Sequence, residues 1–199
     1  MTTPPVLTSS RLILRPWRDG DGDAFHALSQ NPAVMEHLMP LPDRAASDAV
    51  IRRIGEHFDR HGFSFWAVER PGHSPFIGFV GLAHVTWEAP FAPAVEVGWR
   101  LDPAHWGQGL ATEAAGLALA HGFDSVGLDE IVAFTVPENR RSRRVMERLG
   151  MERDAAADFD HPRVPDGHRL KRHVLYRIGR DRRKAGRSAA LDTALSGPG

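Results

Sequence analysis

The chain has 199 residues, with 25 Lys plus Arg against 25 Asp plus Glu and therefore a formal net charge of zero. That balance gives no overall reason to expect nucleic acid or a membrane surface as partner. The absence of cysteine excludes a disulfide framework, a thiolate metal site and a cysteine nucleophile.

At 42% hydrophobic and 25% charged, the composition is that of one soluble globular domain, with or without a tail. No apolar run approaches the roughly 18 residues that span a bilayer. The opening MTTPPVLTSS has neither a basic nor an apolar stretch of secretory type, so a cytoplasmic location is expected. The 11 histidines are scattered, with no pair at i and i+4 flanking a Glu, and no metal is expected.

In chain order, RLILRPW (11–17) alternates apolar and polar residues and reads as a strand. DGDAFHALSQ (21–30) reads as a helix, with Asp21 or Asp23 as its N-cap. Asn31-Pro32 interrupts it, and one or two further turns follow. From Asp43 to His61, Ala46, Val50, Ile54 and Phe58 recur every four residues, the mark of an amphipathic helix. FSFWAVER (63–70) and FIGFVGLAHV (76–85) form a hairpin across PGHSP. APAVEVGWRL (92–101) is the next strand, and TEAAGLALAHGF (112–123) the next helix.

EIVAFTV (130–136) is apolar enough for a central strand covered on both faces. Pro137 opens a helix that Gly150 closes. Residues 151–158 and 170–178 read as a last pair of strands around the loop FDHPRVPDGH. From Arg180 the sequence turns basic, then rich in Ala, Ser and Gly, and a disordered tail over 180–199 is expected.

The stretch HWGQGLATEA (105–114) carries the chemistry. Two glycines lie one residue apart where strand gives way to helix. A helix N-terminus offers free N–H groups and the positive end of its dipole, and bare glycines let an anion reach them. Gln108 and Thr112 can add side-chain donors. The pattern is neither a Walker A loop nor G-x-G-x-x-G. A GxG pair alone fits a tight strand-to-helix turn equally well.

The flanks add more. VEVGWRL, a short loop, W-G-Q-G-L-A-T-E-A, and then T-V-P-E-N-R-R-S-R-R-V-M-E-R-L-G-M together resemble the GCN5-related N-acetyltransferase (GNAT) family. The start, TSSRLILRPWRDGDGDAF, is similar to the opening of its RimJ/RimL-like ribosomal-protein branch. The resemblance implies one α/β domain over residues 9–179, with a mixed central sheet splayed between its fourth and fifth strands and about four flanking helices. It also implies transfer of an acetyl group from acetyl-CoA to a primary amine, either a protein N-terminus or a small molecule, by direct attack in a ternary complex. The partners so implied are acetyl-CoA and the amine, with the chain a monomer or homodimer.

The family's pyrophosphate loop falls on Trp106, Gly107, Gln108, Gly109, Leu110 and Ala111, with Thr112 beside it. Trp106 stands where many relatives have Gln or Arg. Gly98 is placed for the strand bulge that admits the pantetheine arm, with the backbone of Trp99, Arg100 and Leu101 to pair with it. Asn139 matches the residue that bonds the cofactor arm, and it is equally a helix cap. Arg144 or Arg141 suits the 3′-phosphate, although a solvated basic face is as good a reading.

Met146 stands where relatives carry an acidic Tyr, so Ser142 is the candidate acid. Glu96 is the candidate base, with Glu88 and His84 weaker. The acceptor groove is expected among Met35, His37, Met39, Phe63, Phe65, Trp66 and Trp87, all of which suit a core as well. The alternative function is a non-catalytic acyl-CoA-binding or regulatory module on the same fold. A nucleic-acid role for RRSRR and the basic tail finds little support in a chain of zero net charge.

Overall fold

The computed structural model describes residues 4–181, so nearly all of the expected tail lies outside the described residues. The strands are β1 (Leu7–Thr8), β2 (Ile13–Arg15), β3 (Phe65–Arg70), β4 (Ser74–His84), β5 (Val95–Leu101), β6 (Glu130–Thr135), β7 (Glu152–Asp160) and β8 (Arg172–Gly179). The helices are α1 (Asp21–Gln30), α2 (Pro32–Met35), α3 (Arg44–His61), α4 (Leu110–His121) and α5 (Arg140–Arg148). All seven expected strands form. The eighth, β1, is a two-residue addition that pairs with β2 at Leu7↔Leu14. Its brevity explains why alternation could not reveal it.

The eight strands make one sheet in the order β1-β2-β3-β4-β5-β6-β8-β7. Every pairing is antiparallel except that of β5 with β6. These two are the expected fourth and fifth strands, renumbered by β1. β4 and β5 pair without a break from Gly78↔Leu101 to His84↔Val95. β5 and β6 meet only at Glu96↔Val132, near the start of both strands, and then diverge. β5 begins at Val95, short of the expected residue 92, because Pro90 and Pro93 have no N–H to offer a ladder.

The helices follow their local signals. Asp43 caps α3 by accepting from the Ala46 N–H, and Gly62 ends it in the left-handed region (φ 76°). Ile54 and Phe58 turn inward from α3 onto Trp66, Val80 and Leu82 of the sheet. α4 buries Ala114, Ala115, Ala118 and Leu119. Small residues on that helix let it lie close to the strands.

α1 departs from expectation. Neither Asp21 nor Asp23 caps it; Gly20 occupies the cap position without a side-chain bond. Asp21 instead accepts from both terminal nitrogens of Arg15, at 2.7 and 2.9 Å, and from the Arg18 backbone N–H. Arg15 also donates through Nε to Glu69 of β3. Both Arg15 and Asp21 are buried, so this group ties α1 to two strands where water cannot compete.

Two glycines of β4 are fixed by close approach. A Cβ at Gly81 would lie 2.2 Å from the Ser64 carbonyl oxygen, and one at Gly78 (φ 134°) would lie 2.1 Å from that of Arg100. Gly55, exposed on α3, has nothing within 4 Å of such a Cβ. Gly81→Ala is therefore expected to lower unfolding free energy by about 3 kcal/mol. Gly55→Ala is expected to raise it by about 0.5–1 kcal/mol, both read from urea unfolding.

Candidate active site

Where β5 and β6 part, a cleft of about 1160 Å³ opens between the two strands and the elements around them. The divergence is at their carboxyl ends, so the segments that follow each strand stand at its mouth. After β5, residues 103–105 make a single 3₁₀ turn and lead to the glycine pair. Gly107 (φ 73°) and Gly109 (φ 76°) are both left-handed, a backbone that L side chains rarely adopt. Nothing lies within 4 Å of a Cβ at Gly107. Conformation, not crowding, selects glycine there. Gly109 is the N-cap of α4 and makes no side-chain cap. The first residues of α4, Leu110, Ala111 and Thr112, line the cleft.

Trp106, Gly107, Gly109, Leu110, Ala111 and Thr112 all line the cleft. Gln108 does not. Its side-chain oxygen accepts from Arg70 (2.9 Å), its amide donates to the Ala104 carbonyl (3.2 Å), and its backbone carbonyl accepts from Arg11 (3.0 Å). The expected side-chain donor at Gln108 is spent inside the loop. Thr112 does carry a buried hydroxyl with no partner among the described residues. Trp106 donates to the Leu101 carbonyl (2.8 Å), and the Arg141 guanidinium stands 4.6 Å from its ring centroid. Arg144 lines the cleft as well.

The bulge expected at Gly98 does not form, since the β4–β5 register is continuous through Gly81↔Gly98. What needs the missing side chain is Phe65, whose ring would meet a Cβ at 3.1 Å. Trp99, Arg100 and Leu101 line the cleft beyond it. After β6, Asn139 caps α5 by accepting from the Ser142 N–H (3.2 Å), and its amide donates to Thr135 Oγ1 (3.0 Å). The cap reading of Asn139 is thus realised, and both Asn139 and Ser142 still line the cleft. The chain's single tyrosine, Tyr176, is engaged elsewhere with Arg143 and Glu147. Met146 is buried in the core.

Glu96 lies on the cleft wall. Burial pushes its carboxyl up to about 7, against a smaller opposing pull from Arg163. His84 also lines the cleft, with its imidazole lowered by burial, whereas Glu88 does not reach it.

Of the expected acceptor residues, His37, Met39, Phe65 and Trp87 face the cleft, and Met35 does not. Phe63 and Trp66 are core residues. Sequence reading named Trp87 but missed the wall built around it. Trp87, Phe134, Phe159, His161 and His173 pack together, with Trp87 4.6 Å from His161 and stacked on Phe159 at 5.5 Å. Burial lowers His161 to about 4, which leaves it neutral near pH 7. These side chains come from the β4–β5 loop, β6, β7, the β7–β8 loop and β8, so no local spacing joins them.

One cluster has the composition of a metal site. His57, His61 and His84 place ring nitrogens within 4.8 Å of one another. His57, however, donates from Nδ1 to the Phe63 carbonyl (2.6 Å), while its Nε2 accepts from the His84 backbone N–H (3.0 Å). Both of its nitrogens are committed to bracing α3 against β4.

A family model described as an acetyltransferase (GNAT) domain matches residues 11–152. A spermidine N(1)-acetyltransferase of Escherichia coli is 28% identical over 141 residues, 69% of this chain and 70% of that one. The FsC-acetyl coenzyme A-N(2)-transacetylase of Aspergillus fumigatus is 30% identical over 154 residues, 74% of this chain and 65% of that one. The crystal structure of an acetyltransferase from Agrobacterium tumefaciens superposes with a TM-score of 0.71 at 26% identity, covering 89% of this chain and 96% of that one. The chain belongs to the GNAT acetyltransferase family, and with it to the acetyl-CoA-dependent acetyltransferases.

Proposed function

We propose that the cleft transfers an acetyl group from acetyl-CoA to a primary amine, with Glu96 as base and Ser142 as acid, and that the chain is of the RimJ/RimL-like branch. The observation that carries this reading is a carboxyl held near neutrality on the wall of a cleft whose mouth is a glycine-bared helix N-terminus. The residues present suit acetyl-CoA. Left-handed Gly107 and Gly109 expose the amides of α4 to a pyrophosphate, and the unpartnered Thr112 hydroxyl adds a donor. Arg141, held over Trp106, and Arg144 supply positive charge for phosphate.

Acetyl-CoA supplies an acyl carbon activated as a thioester. An alkylamine is mostly protonated at neutral pH and cannot attack until it loses that proton. A carboxylate with a pKa near 7 is basic enough to take it and is still ionised in half the molecules at that pH. Glu96 receives the proton, the amine nitrogen bonds to the acetyl carbon, and the carbon–sulfur bond breaks. Ser142, one turn into α5 and lining the cleft, gives its proton to the departing sulfur and takes up the second proton that the nitrogen sheds as the amide forms, so its hydroxyl is restored. A thiol leaves well as thiolate, so a weak acid suffices. With no cysteine in the chain, attack is direct and no cysteine carries the acetyl group.

Three outcomes are expected. Calorimetric titration with acetyl-CoA gives micromolar binding that Gly109→Trp abolishes; persistence of binding in that variant moves the ligand elsewhere. The transfer rate climbs as pH rises through about 7, and Glu96→Gln lowers kcat by about 10²–10⁴-fold and removes this limb. The third outcome concerns stability. The native carboxyl holds its proton between its ordinary 4.5 and about 7, whereas the unfolded one releases it. Wild-type stability relative to Glu96→Gln therefore falls as pH is raised across that window, measured by urea unfolding at pH 4.5 and pH 8.

A further inference from the structure

Among the described residues, Arg15 is buried and Arg100 is half-buried with its charge desolvated, and the two differ in one respect. Arg15 is bound to Asp21 and Glu69. Arg100, on β5, has no carboxylate within 4 Å among the described residues. Its Nη1 donates to Ser29 Oγ (3.2 Å), and its Nε is buried with no partner. The rings of Phe25 and Phe79 flank the guanidinium at 5.7 and 5.2 Å, which orients it without neutralising it. Burial lowers its pKa to about 10, so it stays charged at neutral pH. A desolvated cation that lacks a counter-ion is costly unless an anion completes it.

Arg100 lines the same cleft as Glu96. The two are four residues apart on one strand, so their side chains share a face and their Cα atoms lie about 13 Å apart at 3.3 Å per residue. Arg141 stands across the cleft against Trp106, at the glycine loop, while Arg100 is set against Ser29 and Phe25 of α1. The wider charge points the same way. With Arg141 and Arg144 set aside for the phosphates of acetyl-CoA, five arginines and two carboxylates, Glu56 and Glu96, line the cleft among the described residues. A polyamine, with several positive charges to satisfy, meets the wrong sign here.

We propose that the Arg100 guanidinium receives an anionic group of the acceptor, so that the substrate is an amine carrying a carboxylate-type anion several bonds from its nitrogen, and not a polyamine. This rests on the transferase reading above and names its substrate class. The planar fork of arginine pairs with a carboxylate through two parallel bonds, and Nε is one of the donors that such a pair uses.

The test uses three amines of one length that differ only at the far end: 5-aminopentanoate, pentylamine and 1,5-diaminopentane. In the full chain, 5-aminopentanoate is expected to show the highest kcat/KM, at least about tenfold above the diamine. Arg100→Met should bring the three within about threefold of one another, and Arg100→Lys should restore part of the preference. The dissociation constant for acetyl-CoA should not change in either variant. Thermal melting checks that they fold, and the wild-type ranking stands without them.

Preference for the diamine or for pentylamine, or a ranking unmoved in folded Arg100→Met, overturns the proposal. Lost acetyl-CoA affinity with the ranking intact overturns it too, by assigning Arg100 to a cofactor phosphate. Should none of the three be acetylated while acetyl-CoA binds, the transferase reading is what fails. Equilibrium binding of the three probes to CoA-saturated protein then still ranks them, and equal or absent binding ends the proposal.

Discussion

The molecule is organised around a pairing that stops. Two parallel strands in mid-sheet would ordinarily share a ladder along their whole length, yet β5 and β6 share one register pair, Glu96↔Val132. Each strand is held on its other side by a full antiparallel ladder, β5 by β4 and β6 by β8. The gap is therefore a fixed wedge between two rigid half-sheets, not a loose seam. The glycine loop, the N-terminus of α5 and the carboxyl of Glu96 all take their positions from that wedge.

Much of this was legible in the sequence because it depends on local rules. The fourfold spacing of α3, the Pro/Gly turn between β3 and β4 and the apolar run of β6 each need only a few neighbouring residues to be read. The glycine pair was legible for the same reason, since a left-handed backbone leaves its mark at the residue that adopts it. The wall of Trp87, Phe134, Phe159, His161 and His173 was not, because strands far apart in sequence bring those rings together. Gln108 looked like a donor to a ligand until Arg70 and Ala104 claimed its amide. Asp21 looked like a helix cap until Arg15 claimed its carboxylate. In both cases a short-range role lost to a partner that folding delivers from elsewhere.

Gly98 shows the same contest from the other side. A strand glycine beside a cofactor cleft reads as a bulge, but the ladder runs straight through it. The bare position serves the ring of Phe65 instead. The strand keeps its regular alternation as a result, and that alternation is what places Glu96 and Arg100 on a common face.

The underside of the glycine loop bears on how it meets a ligand. Arg11 donates to the Gln108 carbonyl and also grips Glu113, which accepts from Ser9 in turn. Burial would raise the Glu113 carboxyl, but the bonds from Arg11 and Ser9 outweigh it and hold the group below its ordinary value. A negative charge in the first turn of α4 is thus neutralised from behind by a residue near the chain's beginning. The Gln108 carbonyl is turned toward that clasp, and Gly107 and Gly109 on either side of it line the cleft. A phosphate reaching them finds a surface already in shape, so little motion has to be frozen at the moment of capture. Association would then be governed by diffusion and long-range attraction, and the length of stay by the amides themselves.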